Sequence, residues 1–214
     1  MLIFLVRHGL TDWNALRRFQ GTCDIPLNAD GLAQAQVVAR RCAALHVERV
    51  YHSPLKRAAQ TAQIIGEMAG ASCIPRDGMR EGDMGAFQGL TLEQARERFP
   101  QECAAYFANQ THVAPPGGES MLELQSRAVA ALDAIERDAQ GCGRIAIVSH
   151  GALLKTLLCA VADMPLTCFG RIDVSNCSIS VVDSTDGQRR LVTLNDLSHF
   201  GDPYGAMAAT RLMI

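Results

Sequence analysis

The chain has 214 residues, with 20 Lys and Arg against 22 Asp and Glu, so its formal net charge is −2. Hydrophobic residues make up 48% and charged residues 20%, which predicts one globular domain over residues 1–214 rather than a disordered chain. The lack of a basic surplus argues against nucleic-acid binding. Apolar runs are too short for a signal-peptide core or a membrane span, so we expect a cytoplasmic protein without a membrane partner.

The eight cysteines form no recognisable metal motif. No pair has C-x-x-C spacing and none has a His at zinc-finger spacing, so a zinc site is not predicted. Free, mostly buried thiols in a reducing compartment are expected instead.

Short apolar runs alternate with helical patterns along the chain. Strands are predicted at 2–6, 47–52, 72–75 and 144–149, with a terminal hairpin at 178–183 and 190–194. Helices are predicted at 30–45, 53–69, 91–99, 102–108, 119–139 and 152–162, the second with Ser53 as N-cap and Pro54 at the first helical position. This order predicts an α/β fold, a three-layer sandwich in which helices cover both faces of a mostly parallel sheet with an antiparallel edge strand. Residues 77–118 are predicted to form a small inserted lid.

Two of the buried strands end in a His followed by a Gly. His8 and His150 occupy these positions, at the sheet edge where α/β proteins bind their ligands. Arg7 precedes the first His, and Arg57 lies in the first turn of the helix after the second strand. These four residues predict a compact cationic pocket in a net-acidic protein. Such a pocket suits a phosphoryl group, because guanidinium forks match phosphate oxygens.

Six motifs follow one another between residue 2 and about residue 155. They are Leu5-Val-Arg-His-Gly-Leu-Thr-Asp-Trp-Asn14, Gly21-Thr-Cys-Asp-Ile-Pro-Leu27, Ser53-Pro-Leu-Lys-Arg-Ala-Ala-Gln-Thr61, Glu81-Gly-Asp-Met-Gly-Ala-Phe-Gln-Gly89, Gly117-Gly-Glu-Ser120 and Val148-Ser-His-Gly151. This ordered set resembles the histidine phosphatase superfamily, the phosphoglycerate-mutase-like proteins, and in particular its phosphatase branch.

The resemblance implies a role for each residue of the cationic pocket. His8 would be the nucleophile and become transiently phosphorylated, which is sensible for a neutral imidazole near pH 7. Arg7, Arg57 and His150 would bind the phosphoryl oxygens, with His150 as an imidazolium. Because Arg and His supply the positive charge, the resemblance implies no metal and no cofactor.

The leaving alkoxide needs a proton, and Glu81 matches the acid of the family. Asp83 is the rival acid, two residues further along the chain. Asn14 and Gly151 match substrate-binding positions of the family. Other residues of the motifs are expected to be structural or to lie at the rim: Asp24 and Glu119.

The resemblance leaves the fate of the phosphohistidine open. A cofactor-dependent mutase would carry a longer basic insert after the Glu81 motif, whereas residues 91–116 contain only Arg96 and Arg98 as cations. We therefore predict a phosphatase of a small phosphorylated metabolite, such as a ribazole phosphate or a sugar phosphate. A mutase and a non-catalytic phosphate-binding module are the alternatives. The sequence carries no signal for oligomeric state.

Several further residues have an expected place near the pocket or beneath it. Packing is the expected use of Trp13, and His199 is a tail residue that could reach the pocket rim. Some apolar residues could line the substrate entrance, although core packing is their commoner use: Met79, Met84, Phe87, Phe107 and Met121.

Overall fold

The computed structural model describes residues 1–185 and 187–202, which include a six-stranded sheet. Its strands are β1 (Leu2–Arg7), β2 (Arg49–His52), β3 (Ser72–Pro75), β4 (Arg144–Ser149), β5 (Ile179–Thr185) and β6 (Gln188–Asp196). They lie in the order β3-β2-β4-β1-β5-β6. The first four are mutually parallel, whereas β5 runs antiparallel to β1 and to β6. The mostly parallel sheet and the terminal hairpin are therefore confirmed.

The helices follow the predicted order along the chain. They are α1 (Asp12–Ala15), α2 (Ala29–Ala44), α3 (Lys56–Ala69), α4 (Leu92–Arg98), α5 (Pro100–Ala108), α6 (Met121–Asp138) and α7 (Gly151–Val161). Two of the longest helices are capped by side chains at their N-termini. Asn28 accepts a hydrogen bond from the Gly31 amide at the start of α2, and Ser120 and Glu123 form a capping box at the start of α6. No helix within residues 1–185 and 187–202 is long and apolar enough to cross a membrane.

Side chains of the central strands alternate between two hydrophobic cores, one on each face of the sheet. In β1, Ile3 and Leu5 belong to a core formed with α5, α6 and α7. The intervening Phe4 and Val6 belong to a second core formed with α2 and α3. Burial on both faces explains why this strand is a continuous apolar run. The predicted three-layer α/β sandwich is confirmed.

The predicted start of α3 is wrong by about two residues. The helix begins at Lys56, with Leu55 as N-cap and no capping side chain. The Ser53 hydroxyl cannot serve as the cap because it lies in a turn before the helix, 2.7 Å from His150 Nε2. The chain thus uses Ser53 to contact the candidate site.

Residues 77–118 connect β3 to α6 and pack against the rest of the molecule. Phe87 is fully buried, and its ring centroid lies about 6 Å from those of Phe19, Phe99 and Tyr106. These rings join the core that contains Ile3. The segment therefore contributes to the hydrophobic core as well as to the candidate site.

The backbone after β1 approaches the N-terminus of α2 very closely. A Cβ atom added to Gly9 would lie 2.5 Å from the carbonyl oxygen of Gly31. No side chain fits at that separation, so Gly9 is required by this close packing. The contact fixes the position of His8 against α2.

Candidate active site

A cavity of about 190 Å³, called the main cavity below, opens beside the carboxyl ends of β1 and β4. Six of the seven predicted site residues contribute to its wall: Arg7, His8, Asn14, Arg57, Glu81 and Gly151. The seventh, His150, lies directly behind them with no exposed surface. The structure therefore brings together residues that are up to 144 positions apart in the sequence, from Arg7 to Gly151.

His8 is held as a neutral imidazole with one nitrogen free. Only 3% of its surface is exposed, and its Nδ1 lies 2.7 Å from the Gly9 carbonyl oxygen. Because a carbonyl oxygen only accepts hydrogen bonds, Nδ1 carries the proton and Nε2 keeps its lone pair. Burial lowers the pKa of His8 well below its usual value, and the Arg57 and Arg7 guanidinium groups lower it further. At neutral pH, His8 has the form that a nucleophile needs.

Arg57 lines the main cavity and is almost completely buried, with 1% of its surface exposed. Its Nη1 and Nη2 donate to the carbonyl oxygens of Cys23 and Gly21, each at 2.7 Å, and its Nε donates to His150 Nδ1 at 3.1 Å. Burial lowers its pKa to about 10, so the group stays charged at neutral pH. Three of its five N–H groups are used, and two remain for a ligand.

Arg7 brings a second guanidinium to the same cavity. Its Nη1 donates to the Val174 carbonyl oxygen at 2.7 Å. Its Nε is buried and has no hydrogen-bond partner within residues 1–185 and 187–202. Burying a charged donor without an acceptor costs free energy. The Arg7 guanidinium is therefore well placed to bind an anion.

His150 has both ring nitrogens occupied by protein groups. Since Arg57 can only donate, Nδ1 of His150 must accept, and the proton therefore lies on Nε2 and is donated to Ser53 Oγ at 2.7 Å. Burial lowers the pKa of His150 well below its usual value, with a further contribution from Arg57. This hydrogen-bond pattern is that of a neutral imidazole, and the imidazolium expected beside a bound phosphate stays a prediction. The His150 ring lies 5.1 Å from that of His8, between centroids, and orients Arg57.

The Glu81 side chain lies against the N-terminus of α7, the helix that begins directly after His150. Its Oε2 accepts from the Ala152 amide at 3.1 Å, and its Oε1 accepts from the Leu153 and Gly82 amides at 3.0 Å. The unpaired amides at this helix N-terminus hold both oxygens of the Glu81 side chain in place. The Gly151 amide, first in the helix, has no acceptor in the described part of the chain and remains for a ligand.

The rival acid, Asp83, is not part of the main cavity wall. Its Oδ1 accepts from the Gly85 amide at 2.8 Å, which uses the side chain to shape the turn after Glu81. Asp83 instead contributes to a separate surface cavity on the other side of the 77–83 segment. The geometry thus favours Glu81 over Asp83 as the proton donor.

Arg127 on α6 holds the segment that carries Glu81. Its Nη1 donates to the carbonyl oxygens of Gly78 and Arg80, each at 2.9 Å. Its Nε and Nη2 also bind both carboxylate oxygens of Glu119, at 3.1 and 2.7 Å. Sequence reasoning missed Arg127, and it placed Glu119 correctly as a structural residue.

Asn14 faces the cavity with its amide nitrogen unused. Its Oδ1 accepts from the backbone amide and the hydroxyl of Thr11, at 3.1 and 3.0 Å, in a capping box that begins α1. The Nδ2 group has no acceptor among the described residues, so it is available to a substrate oxygen.

Three cations of the main cavity were missed at the sequence level: Arg17, Arg18 and Lys155. Lys155 is the most informative, because burial lowers its pKa to about 8 and only 9% of its surface is exposed. All three lie outside residues 91–116, the range in which the sequence was searched for cations that would mark a mutase. The detectable signal was a lysine within the apolar run of α7, one helical turn after His150-Gly151.

The remaining candidates divide between cavity and core. Trp13, Met84, Phe107 and Met121 line the main cavity, whereas Met79 and Phe87 are fully buried in the core. His199 does not reach the cavity, because its Nε2 donates to the Cys177 carbonyl oxygen at 2.9 Å. None of the eight cysteines is disulfide-bonded.

The sequence profile of the histidine phosphatase superfamily (branch 1) matches residues 3–197. The chain belongs to this superfamily. Among its relatives, "Probable phosphoglycerate mutase GpmB" of Salmonella choleraesuis (strain SC-B67) is 36% identical over 207 residues, which are 94% of this chain and 95% of the relative. The resemblance in the sequence motifs is therefore confirmed.

Solved structures of histidine phosphatases share the whole fold. YhfR of Bacillus stearothermophilus has a TM-score of 0.85 at 30% identity, covering 92% of this chain and 98% of that one. A mutant phosphoserine phosphatase of Entamoeba histolytica, in complex with phosphoserine, has a TM-score of 0.82 at 28% identity with the same coverage. The names of these superfamily members thus include both a mutase and a phosphatase.

Proposed function

We propose that this histidine phosphatase is a phosphomonoesterase that hydrolyses a small phosphorylated metabolite through a phosphohistidine at His8. One observation carries the proposal: the unprotonated Nε2 of His8 shares a cavity with Arg7, whose buried Nε lacks a partner among the described residues. A phosphoryl group between them would accept from Arg7 and Arg57 while it presents phosphorus to His8.

The first step transfers the phosphoryl group to the protein. The Nε2 lone pair of His8 attacks phosphorus, and the bond from phosphorus to the ester oxygen breaks. The two free N–H groups of Arg57, the Arg7 guanidinium and the Gly151 amide would stabilise the equatorial oxygens. His150 acts through Arg57, whose Nε it accepts from.

Glu81 completes both steps as a proton carrier. Protonated Glu81 gives its proton to the leaving alkoxide, and the resulting carboxylate takes a proton from the water that attacks the phosphohistidine. Water oxygen bonds to phosphorus, the bond from Nε2 to phosphorus breaks, and inorganic phosphate leaves. The Ala152 and Leu153 amides keep the carboxylate in place while its charge changes.

The experiment is a phosphate-release screen of phosphorylated metabolites together with p-nitrophenyl phosphate. The His8→Ala variant should lose all turnover, and intact-mass spectrometry should detect a phosphorylated intermediate in the wild type only. His112→Ala is a matched control, because His112 is exposed and does not line the main cavity. Full activity of His8→Ala in a folded protein would refute the assignment.

A mutase is the second candidate, favoured by the name of the Salmonella relative. It would return the phosphoryl group to a bound acid rather than to water. The distinguishing measurement is conversion of 3-phosphoglycerate to its isomer, with and without 2,3-bisphosphoglycerate, compared with release of phosphate. Isomerisation faster than phosphate release would replace the phosphatase proposal.

A further inference from the structure

Lys155 lies in an unusual place for a lysine. It belongs to α7, where its neighbours Leu153, Leu154 and Leu157 are fully buried. Only 9% of the Lys155 surface is exposed. No hydrogen bond or ion pair joins it to another residue in the described part of the chain. Buried lysines are rare unless their charge is paired, so this one calls for a partner from outside the chain.

The lysine side chain reaches the cavity from one turn inside the helix. Lys155 and Gly151 are four residues apart on α7, so they share a face and their Cα atoms are about 6 Å apart along the axis. Helical side chains point back towards the N-terminus, which directs the ammonium group towards the cavity wall that both residues form. The ammonium group and the Gly151 amide thus serve the same cavity.

The groups around Lys155 do not neutralise it. Glu81 is the nearest acidic member of the cavity wall, and its oxygens already accept from backbone amides. Burial and then Arg7 lower the pKa of Lys155, whereas the exposed Asp173 and then Glu81 raise it. The positive charge of the ammonium therefore remains available to a bound anion.

We propose that Lys155 binds a carboxylate of the substrate, so that the preferred substrates are phosphomonoesters of small carboxylic acids. The assignment rests on the proposed phosphatase function. A single ammonium is a point charge suited to a monoanion, whereas a second phosphate is better matched by a guanidinium fork. Tyr106, Phe107 and Phe169 also line this cavity, and an apolar lining strengthens an ion pair by lowering the local dielectric constant.

The test compares O-phosphoserine with O-phosphoethanolamine, which differ only by the carboxylate. Wild-type enzyme should favour phosphoserine in kcat/KM, and Lys155→Met should lower that ratio roughly tenfold to a hundredfold, the loss typical of a charge-assisted contact. Lys155→Arg keeps the charge and should retain most of the preference. Because both esters are measured on one protein sample, a partly unfolded variant does not change the ratio.

Binding gives a second readout that does not need turnover. In the His8→Ala background, calorimetry should show that Lys155→Met weakens phosphoserine binding and changes phosphoethanolamine binding much less. Equal effects on both esters, or no preference in the wild type, would overturn the role of Lys155. If the wild type hydrolyses no ester at all, the phosphatase proposal fails, while the two binding constants still decide the role of Lys155.

Discussion

Replacing Arg127 by Met should show how strongly turnover depends on the position of Glu81. The change removes three hydrogen bonds, to the carbonyl oxygens of Gly78, Arg80 and Glu81, and a two-point ion pair with Glu119. Met keeps much of the aliphatic volume, so the packing of α6 is largely preserved. The segment that ends at Glu81 then loses the hydrogen bonds of Arg127, while Gly78 and Gly82 still pack against Ala131 and Leu124 of α6.

The size of both effects follows from the contacts. The Arg127 and Glu119 side chains are 30% and 19% exposed, so solvent screens their ion pair in part. We therefore expect a loss of about 2–3 kcal/mol in the free energy of unfolding, or roughly 5–10 °C in Tm for a chain of this size. A displacement of Glu81 by about 1 Å would lower kcat by up to roughly a hundredfold where proton donation is needed.

The assay measures kcat on an alkyl ester, phosphoserine, and on p-nitrophenyl phosphate. The p-nitrophenolate group leaves without a proton, so its hydrolysis should depend much less on Glu81. Arg189→Met is the matched control, because Arg189 also pairs with acidic residues of α6, Asp133 and Glu136, and does not line the main cavity. It should lower Tm and leave the ratio of alkyl to aryl turnover unchanged.

The result that refutes this reasoning is equal loss on both esters. Arg127 would then act on the stability of the whole site and not on the proton donor. An Arg127→Met enzyme with the Tm and both turnover numbers of the wild type would show that the described contacts contribute nothing.

Three further outcomes are expected. The proposed turnover requires neutral His8, and burial together with the nearby Arg groups lowers the pKa of this residue. We therefore expect kcat/KM to stay constant as the pH falls past 6.5 and to decline only well below that pH. A decline centred at or above pH 6.5 would contradict a neutral His8. Gly9→Ala should cost about 2 kcal/mol or more in thermal unfolding, whereas Gly170→Ala, with nothing within 4 Å of its Cβ, should cost little; equal costs would contradict the close approach. Ser53→Ala leaves the buried His150 Nε2–H without an acceptor and should cost about 1–3 kcal/mol in chemical denaturation, with reduced kcat; a cost near zero would place the proton elsewhere.

The positions of most strands and helices could be predicted because their cause is local. Buried parallel strands are continuous apolar runs, and the alternation of strands and helices restricts the connections that a chain can make. Position after a strand was enough to identify His8 and His150. The start of α3 could not be predicted, because Ser53 is a suitable cap locally and its use by His150 depends on a contact 97 residues away.

The cavity residues outside the sheet edge were harder to predict than those at the sheet edge. Arg7, His8 and His150 share one sheet edge, whereas Lys155, Arg18 and Phe107 come from different helices and turns. Periodicity says that a residue faces inward but not which cavity it meets. The neutral state of His150 was likewise invisible, because it depends on which atoms of Arg57 and Ser53 its ring contacts.

The pairing of β1 with β4 has a consequence for how such a protein diverges. Arg7 is in register with Ser149, so the next residues, His8 and His150, lie side by side with ring centroids 5.1 Å apart, close to the spacing of about 4.8 Å between neighbouring strands. Backbone pairing in the sheet thus sets the distance between them, whereas helices and turns carry the side chains that meet the rest of the substrate. In the proposed phosphatase, mutations of the cavity wall would therefore change the preferred metabolite and leave in place the two histidines that the sheet positions.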